Sequence, residues 1–448
     1  MTRSESETEV RSSGQVTLPP GPAAPPAVQT LNWLFRPIAF MNSCRRRHGE
    51  AFSVTFLGFQ TPMVMVSDPD VIRALYRGHE NGLPPGRSAS LEPVMGPRSV
   101  LLLEGDEHLA RRRLMLPAFH GERMRTYEGI ITQLAAREID AWPAGQTFAI
   151  HPRMQALTLE VILRAVFGVS DPARVARLRA LLADLLAQTS SPLLQLRVLL
   201  ARRFGGPDPL AGLKRRNAEV DELLGAEVAE RRADPDLARR EDILSMLVAA
   251  RFEDGEPMSD AELRDQLMTL LLAGHETTAT ALAWTFDLLL RHPAALGRLQ
   301  SELDAGEEAY LRAVIAESLR LRPVIPLAGR RLRDELRVDG FTLPPGTDVT
   351  PAIWLTHTRK DLYPAPFEFR PERFLDEGPE TYAWIPFGGG VRRCLGASFA
   401  EFEMRIVLRE TLRRCELRGA RRRPESIARR NITFSPRRGT PVVVSPRP

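Results

Sequence analysis

The stretch Phe387-Gly388-Gly389-Gly390-Val391-Arg392-Arg393-Cys394-Leu395-Gly396 sets one cysteine behind three consecutive glycines. An apolar segment follows, with Phe399, Phe402, Met404, Val407, Leu408 and Leu412 mostly three or four residues apart. That spacing predicts a helix over 397–412, with Cys394 at its mouth. Free backbone N–H groups and the positive end of the helix dipole should lower the thiol pKa there and favour the thiolate. Glycine lets backbone approach a flat or bulky partner closely. A thiolate on such a turn, beneath an apolar wall, suits a fifth ligand of haem iron. Most lone cysteines are inert buried hydrophobes, so the rest of the chain decides between the two readings.

The chain has 448 residues, 43% of them hydrophobic, which is ample for a large core. Cys44, Cys394 and Cys415 are the only cysteines. There is no disulfide framework, which suits a reducing compartment. The net charge is +5 and the cationic residues are almost all arginine, Lys214 and Lys360 being the only lysines. So small an excess fits a local acidic partner better than nucleic acid. Residues 1–15 are polar and lack the apolar stretch of a signal peptide. No apolar run approaches the ~18 residues of a membrane span. These features predict a soluble, cytoplasmic protein.

Pro19, Pro20, Pro22, Pro25 and Pro26 predict a disordered or extended segment over 1–26, ahead of a single domain over 27–448. Residues 52–56 and 63–66 read as strands. Residues 80–104 form a long loop carrying Leu91, Val94 and Met95, which suggests a binding lid. From 106 to about 320 the pattern is helical. The longest candidate, 259–291, opens on a Ser259/Glu262 capping box and would run about 50 Å. Residues 192–206 are apolar and suggest a mobile helix over a pocket. Beyond Pro323, prolines, glycines and short β-like runs dominate, and 441–444 reads as a strand. The fold class is therefore mainly α with a smaller β portion drawn from both ends of the chain.

Three further patterns carry chemistry. Ala273-Gly274-His275-Glu276-Thr277-Thr278 lies inside the longest helix. A mid-helix glycine costs about 1 kcal/mol against alanine, so the cluster is not there for helix stability. Gly274 would admit another group, and a Thr277 hydroxyl turned from the carbonyl four residues back would loosen the helix. Small-residue helix packing is the plain alternative. Glu317 and Arg320 share one helix face and can pair, as many solvated pairs do. His108 and Arg112 also share a face, and arginine is suited to clamping carboxylates. Arg111 and Arg113 read as ordinary solvated charges, able with Arg393 to form a basic face for an acidic partner.

Phe387, Gly390, Arg392, Cys394 and Gly396 match the signature Phe-x-x-Gly-x-Arg-x-Cys-x-Gly. On these residues the chain resembles the cytochrome P450 superfamily of haem-thiolate monooxygenases. The other motifs stand in the family's order, over about residues 30–445. The resemblance implies the P450 fold, with haem b between the long helix and the cysteine loop and Cys394 on the iron. It implies an oxygen groove at Ala273 and Gly274, with Thr277 facing dioxygen and Glu276 relaying protons. His275 falls at the family's variable position, a pocket or surface side chain. Haem contacts are implied for Phe387, Gly388 and Gly396, and propionate contacts for His108, Arg112, Arg392 and Arg330, with Arg331 as the alternative to Arg330. Glu317, Arg320 and Arg373 would form a structural triad. The implied reaction inserts one atom of O2 into a hydrophobic small molecule, whether fatty acid, terpene, steroid or polyketide-like. The pocket would be lined by 80–104, 190–206 and Val324–Gly329. Electrons would come from a ferredoxin or flavodoxin-type donor with its NAD(P)H reductase, and the protein would act as a monomer. A peroxide-driven peroxygenase and a non-catalytic haem sensor or carrier are the competing readings. The Glu276–Thr277 pair favours dioxygen activation over both.

Overall fold

The computed structural model describes residues 18–59, 61–77, 92–119, 121, 123–169, 171–189, 208, 210–376, 378, 380–430 and 432–447. The helix Asp260–Arg291 is its axis. Thirty-two residues at ~1.5 Å each give a rod of about 48 Å. The expected capping box starts it: Glu262 N donates to Ser259 Oγ (3.3 Å), and the Glu262 carboxylate accepts from Ser259 N (2.9 Å). Every residue from Thr278 to Leu289 is buried, so this half is core on all sides.

The helix Ile150–Val161 packs along it and continues into one wide π turn, Ile162–Val166. The cysteine helix, Ala397–Arg414, packs against both the long helix and Arg123–Asp140. Phe399 joins two of these helices, making edge contacts with the Phe119 and Tyr127 rings. The helix Ala309–Leu321 lies beside them. The short connection before it is closed by Glu308, which accepts from Arg405 (2.7 Å) and Arg409 (2.8 Å) of the cysteine helix.

The main sheet joins both halves of the chain. β1 (Ala51–Val54) runs antiparallel to β2 (Met63–Val66). β2 pairs in parallel with β7 (Asp348–Pro351), and β7 antiparallel with β4 (Arg330–Arg331). Its buried face packs under Ile72, Leu75 and Tyr76 of the helix Pro69–Arg77. β3 (Thr147–Ala149) and β8 (Cys415–Gly419) flank β11 (Pro441–Pro446), the strand expected at the C-terminus.

A disordered or extended segment was expected over 1–26; from residue 18 the chain is irregular and packed, with Pro19 buried and Pro20 O accepting from Ser53 N (3.1 Å), until a helix opens at Pro26. A proline with no N–H to satisfy can lie against a strand edge in this way. Residues 1–17 lie outside the described residues. The lid expected at 80–104 is described only from 92, and that part is clamped to the long helix. Arg98 N donates to Asp265 (2.9 Å), Val100 N to Gln266 (2.9 Å), and the Ser99 and Thr269 hydroxyls bond at 2.6 Å. The 190–206 segment lies outside the described residues.

Candidate active site

The cysteine loop is held by its own backbone. Gly388 and Gly390 adopt φ of +67° and +64°, conformations costly to any side chain. Cys394 N donates to Phe387 O (2.9 Å), and Arg393 N to Gly390 O (3.0 Å). The bulky partner that the glycines admit within the chain itself is Tyr76. A Cβ on Gly389 would fall 2.5 Å from its ring, and one on Gly390 2.4 Å from its carbonyl. Nothing in the sequence pattern pointed to Tyr76.

The helix begins at Ala397, as expected, but burial raises the Cys394 thiol pKa rather than lowering it. The Gly396 N–H, Arg393 and Arg112 pull the other way and are outweighed; Glu401 adds to the rise. Cys394 is nonetheless accessible.

Four cationic or titratable side chains from three parts of the chain converge beside it. Burial pushes the His108 pKa down to about 4, helped by the charges of Arg392, Arg112 and Arg330. Arg112 also senses Cys394. Arg330 is buried, with its guanidinium 5.3 Å from the Tyr76 ring centre and donating to Gly329 O (2.8 Å). Arg392 donates to Leu103 O (2.6 Å). The charges acting on His108 are all arginines. A group of one sign, buried at Arg330 and half-buried at Arg112 and Arg392, beside an accessible thiol fits a dianionic, metal-centred ligand, so these residues fit haem with its two propionates. Arg331 is engaged elsewhere, pairing with Asp348 at 2.8 Å across β4 and β7. Arg111, expected in solvent, is half-buried, ion-paired to Glu262 and 4.8 Å from the Phe252 ring centre. Arg113 is exposed, as expected, and paired with Glu253.

On the long helix, Ala273 is exposed although Leu271 and His275 are buried. Thr277 keeps its hydroxyl on Ala273 O (2.6 Å) and does not turn from it. Gly274 admits Ile162, whose Cδ1 would lie 2.7 Å from an added Cβ. This small residue therefore serves helix packing at least. His275 is buried, with Nδ1 on Leu271 O (2.9 Å), and is not a surface side chain. Glu276 turns toward the helix Ile150–Val161. Its carboxylate accepts from Gln155 Nε2 and lies 3.9 Å from His151 Nε2. Burial raises its pKa, partly offset by Gln155 and Arg430. His151, pushed down to about 3 by burial, is neutral and shares a hydrogen bond with Thr280 (3.1 Å). Gln155 and His151 were not legible because their partners lie over a hundred residues away.

Glu317 and Arg320 meet with both side chains fully buried, through bonds of 2.6 and 2.8 Å. Arg373 approaches Glu317 to 3.5 Å. Arg320 also donates to His357 O (2.7 Å) and Pro366 O (2.8 Å), and Glu317 accepts from Arg370 N (2.9 Å). His357 extends this brace to the cysteine loop. Its Nε2 accepts from Ile385 N (2.9 Å), so Nδ1 carries the proton and donates to Arg320 O (3.2 Å).

Among the described residues, no helix is long and apolar enough to cross a membrane, and no group of three or more His, Cys, Asp or Glu is placed to hold a metal ion. The helical body, the cysteine loop and the convergent arginines define a haem-thiolate oxygenase. The chain belongs to the cytochrome P450 family, whose profile matches residues 19–441. It is 44% identical over 437 residues to cytochrome P450 135B1 of Mycobacterium tuberculosis, covering 95% of this chain and 91% of that one. It is 42% identical over 402 residues to cytochrome P450 137 of the same organism, covering 90% and 84%. Retinoic acid-bound cyanobacterial CYP120A1 superposes with a TM-score of 0.83 at 25% identity, covering 96% and 100%. The cytochrome P450DA haem domain reaches 0.84 at 23%, covering 97% and 98%, a likeness of fold. The protein is thus a P450 monooxygenase that uses haem, O2 and a redox partner.

Proposed function

We propose that this enzyme hydroxylates or epoxidises a hydrophobic small molecule of the fatty acid, terpene, steroid or polyketide kind. In this reading residues 27–448 act as one catalytic domain, a cytoplasmic monomer holding haem b. Electrons arrive singly from a ferredoxin or flavodoxin-type donor and its NAD(P)H reductase. The observation that carries the reading is the His108, Arg112, Arg330 and Arg392 cluster beside the accessible Cys394 thiol. The retinoic acid in the CYP120A1 neighbour, a long apolar molecule, supports the hydrophobic substrate class.

The haem, when bound, would supply the activation of dioxygen, and the Cys394 thiolate would hold it. The chain's own residues do the rest. Cys394 must give up its proton, and Gly396 N–H, Arg393 and Arg112 stabilise the resulting anion. Cys394, its pKa raised by burial, would be held as the thiolate once it ligated a cation. Arg112, Arg330 and Arg392 neutralise the propionates, while neutral His108 donates or accepts a hydrogen bond without adding charge. Splitting O2 consumes two protons. Glu276, its carboxylate held by Gln155 Nε2 and its pKa raised by burial, would hold a proton at that carboxylate and pass it toward the Thr277 hydroxyl. Ala273 leaves the helix face open beside that hydroxyl.

The deciding measurement is the absorption spectrum of the reduced protein under carbon monoxide. A strongly red-shifted haem band is expected, and a globin-like band would remove Cys394 from the iron. In Thr277→Ala, electron consumption should continue while peroxide replaces organic product. Unchanged coupling would remove Thr277 from proton delivery.

A further inference from the structure

A second basic cluster lies at the other end of the long helix. There, the turn after β8 forms a cleft of about 440 Å3 over Asp287 and Arg291. Five arginines and two carboxylates line it. Both carboxylates are buried; Glu425 is engaged through both oxygens, while Asp287 keeps its Oδ2 without a hydrogen-bond partner among the described residues. Glu425 accepts from the backbone N–H groups of Ser426 (3.0 Å), Arg438 (3.2 Å) and Thr440 (3.3 Å), and Asp287 holds Arg291 Nε at 2.9 Å.

Arg291 is the brace. Its two remaining nitrogens donate to Arg422 O (3.0 Å) and Arg423 O (2.7 Å) and so pin the turn. Arg421, Arg422, Arg423 and Arg438 are exposed and make no ion pair among the described residues. Exposed arginines elsewhere in this chain are of both kinds: Arg113 pairs with Glu253, while Arg46 and Arg47 make no ion pair among the described residues. Four like charges lining one cleft repel one another, and an anion relieves that repulsion.

We propose that this cleft binds a phosphorylated small molecule of about nucleotide size. Arginine forks match phosphate oxygens in pairs. The volume falls in the range of small-ligand sites, roughly 300–1,000 Å3. Leu290, Pro424 and Pro441 give the cleft an apolar side against which a base or acyl group can lie. A concave, braced wall suits such a ligand better than a flat macromolecular face.

The test titrates the haem-loaded protein with pyrophosphate and with ATP by calorimetry. Saturable binding is expected, weakened at least tenfold by Arg422→Ala/Arg438→Ala, since each charged hydrogen bond contributes enough for such a factor. Both side chains are exposed and outside the haem site, so the carbon monoxide spectrum of the variant should match the parent. Arg46→Ala/Arg47→Ala, which removes exposed charge elsewhere, should bind as the parent does. Vesicles of phosphatidylcholine with and without phosphatidic acid separate the sources: binding only to the acidic vesicles, lost in the cleft variant, identifies a lipid phosphate as the ligand. Non-saturable binding, equal affinity for a polyglutamate peptide, or an unaffected cleft variant would overturn the proposal.

Discussion

Glu317→Ala should cost far more than the loss of a salt bridge. Both partners are fully buried, so removing the carboxylate strands the Arg320 charge at about 3–5 kcal/mol. It also orphans Arg370 N–H, at about 1–3 kcal/mol more. Together these rival the roughly 5–15 kcal/mol that holds a typical protein folded. The informative comparison is Glu317→Leu/Arg320→Leu. An isolated buried pair replaced on both sides is often neutral, but here Arg320 also serves the carbonyls of His357 and Pro366. With Arg370 N–H and Glu368 O, which Arg320 also holds (3.3 Å), four backbone groups would lose partners, at about 1–3 kcal/mol each. The double variant should therefore be no more stable than the single one, and both should hold little haem. Urea unfolding followed by far-UV circular dichroism, with haem absorbance as a second probe, measures this. A double variant that recovers most of the parent's stability would refute the brace and leave only an ion pair.

Arg330→Leu should speed haem transfer to apomyoglobin at least tenfold through the loss of a propionate contact. Arg331→Leu, which strands Asp348, should lower the melting temperature and leave that rate unchanged. His357, held near a pKa of about 3, is neutral in the fold and titrates near 6.5 when unfolded. The unfolded chain thus binds the extra proton between those values, and stability falls with acid by about 1.4 kcal/mol per pH unit below 6.5. His357→Gln should flatten the acid limb of a stability profile by that slope, read as a difference from the parent. Glu403 runs the opposite way. It is buried, its Oε1 has no hydrogen-bond partner among the described residues, and its pKa is raised well above the usual carboxylate range. Its cost therefore grows as pH rises above about 4.5. Glu403→Gln should stabilise the protein at pH 8 and lose that advantage below pH 4.5. A penalty at pH 8 would show that the carboxylate has a partner.

Local features of the sequence were read with little loss. The Ser259/Glu262 cap, the long helix, the start of the cysteine helix and the strands at both chain ends depend on short-range periodicity and capping, which a single stretch carries within itself. The Phe387–Gly396 stretch likewise announced a thiol on a glycine turn. Tertiary structure decided what lies opposite each of these. It set Tyr76 against Gly389 and Gly390, turned Glu276 onto Gln155, buried Arg111 against Glu262, and carried the Arg320 brace through His357 to Ile385. It also parted Arg330 from its neighbour: strand alternation sends Arg330 to the His108 cluster and Arg331 to Asp348. The Cys394 pKa shows the divide most plainly. Helix-mouth chemistry argued for a lowered value from local sequence, while desolvation, which depends on everything packed around the sulfur, raised it.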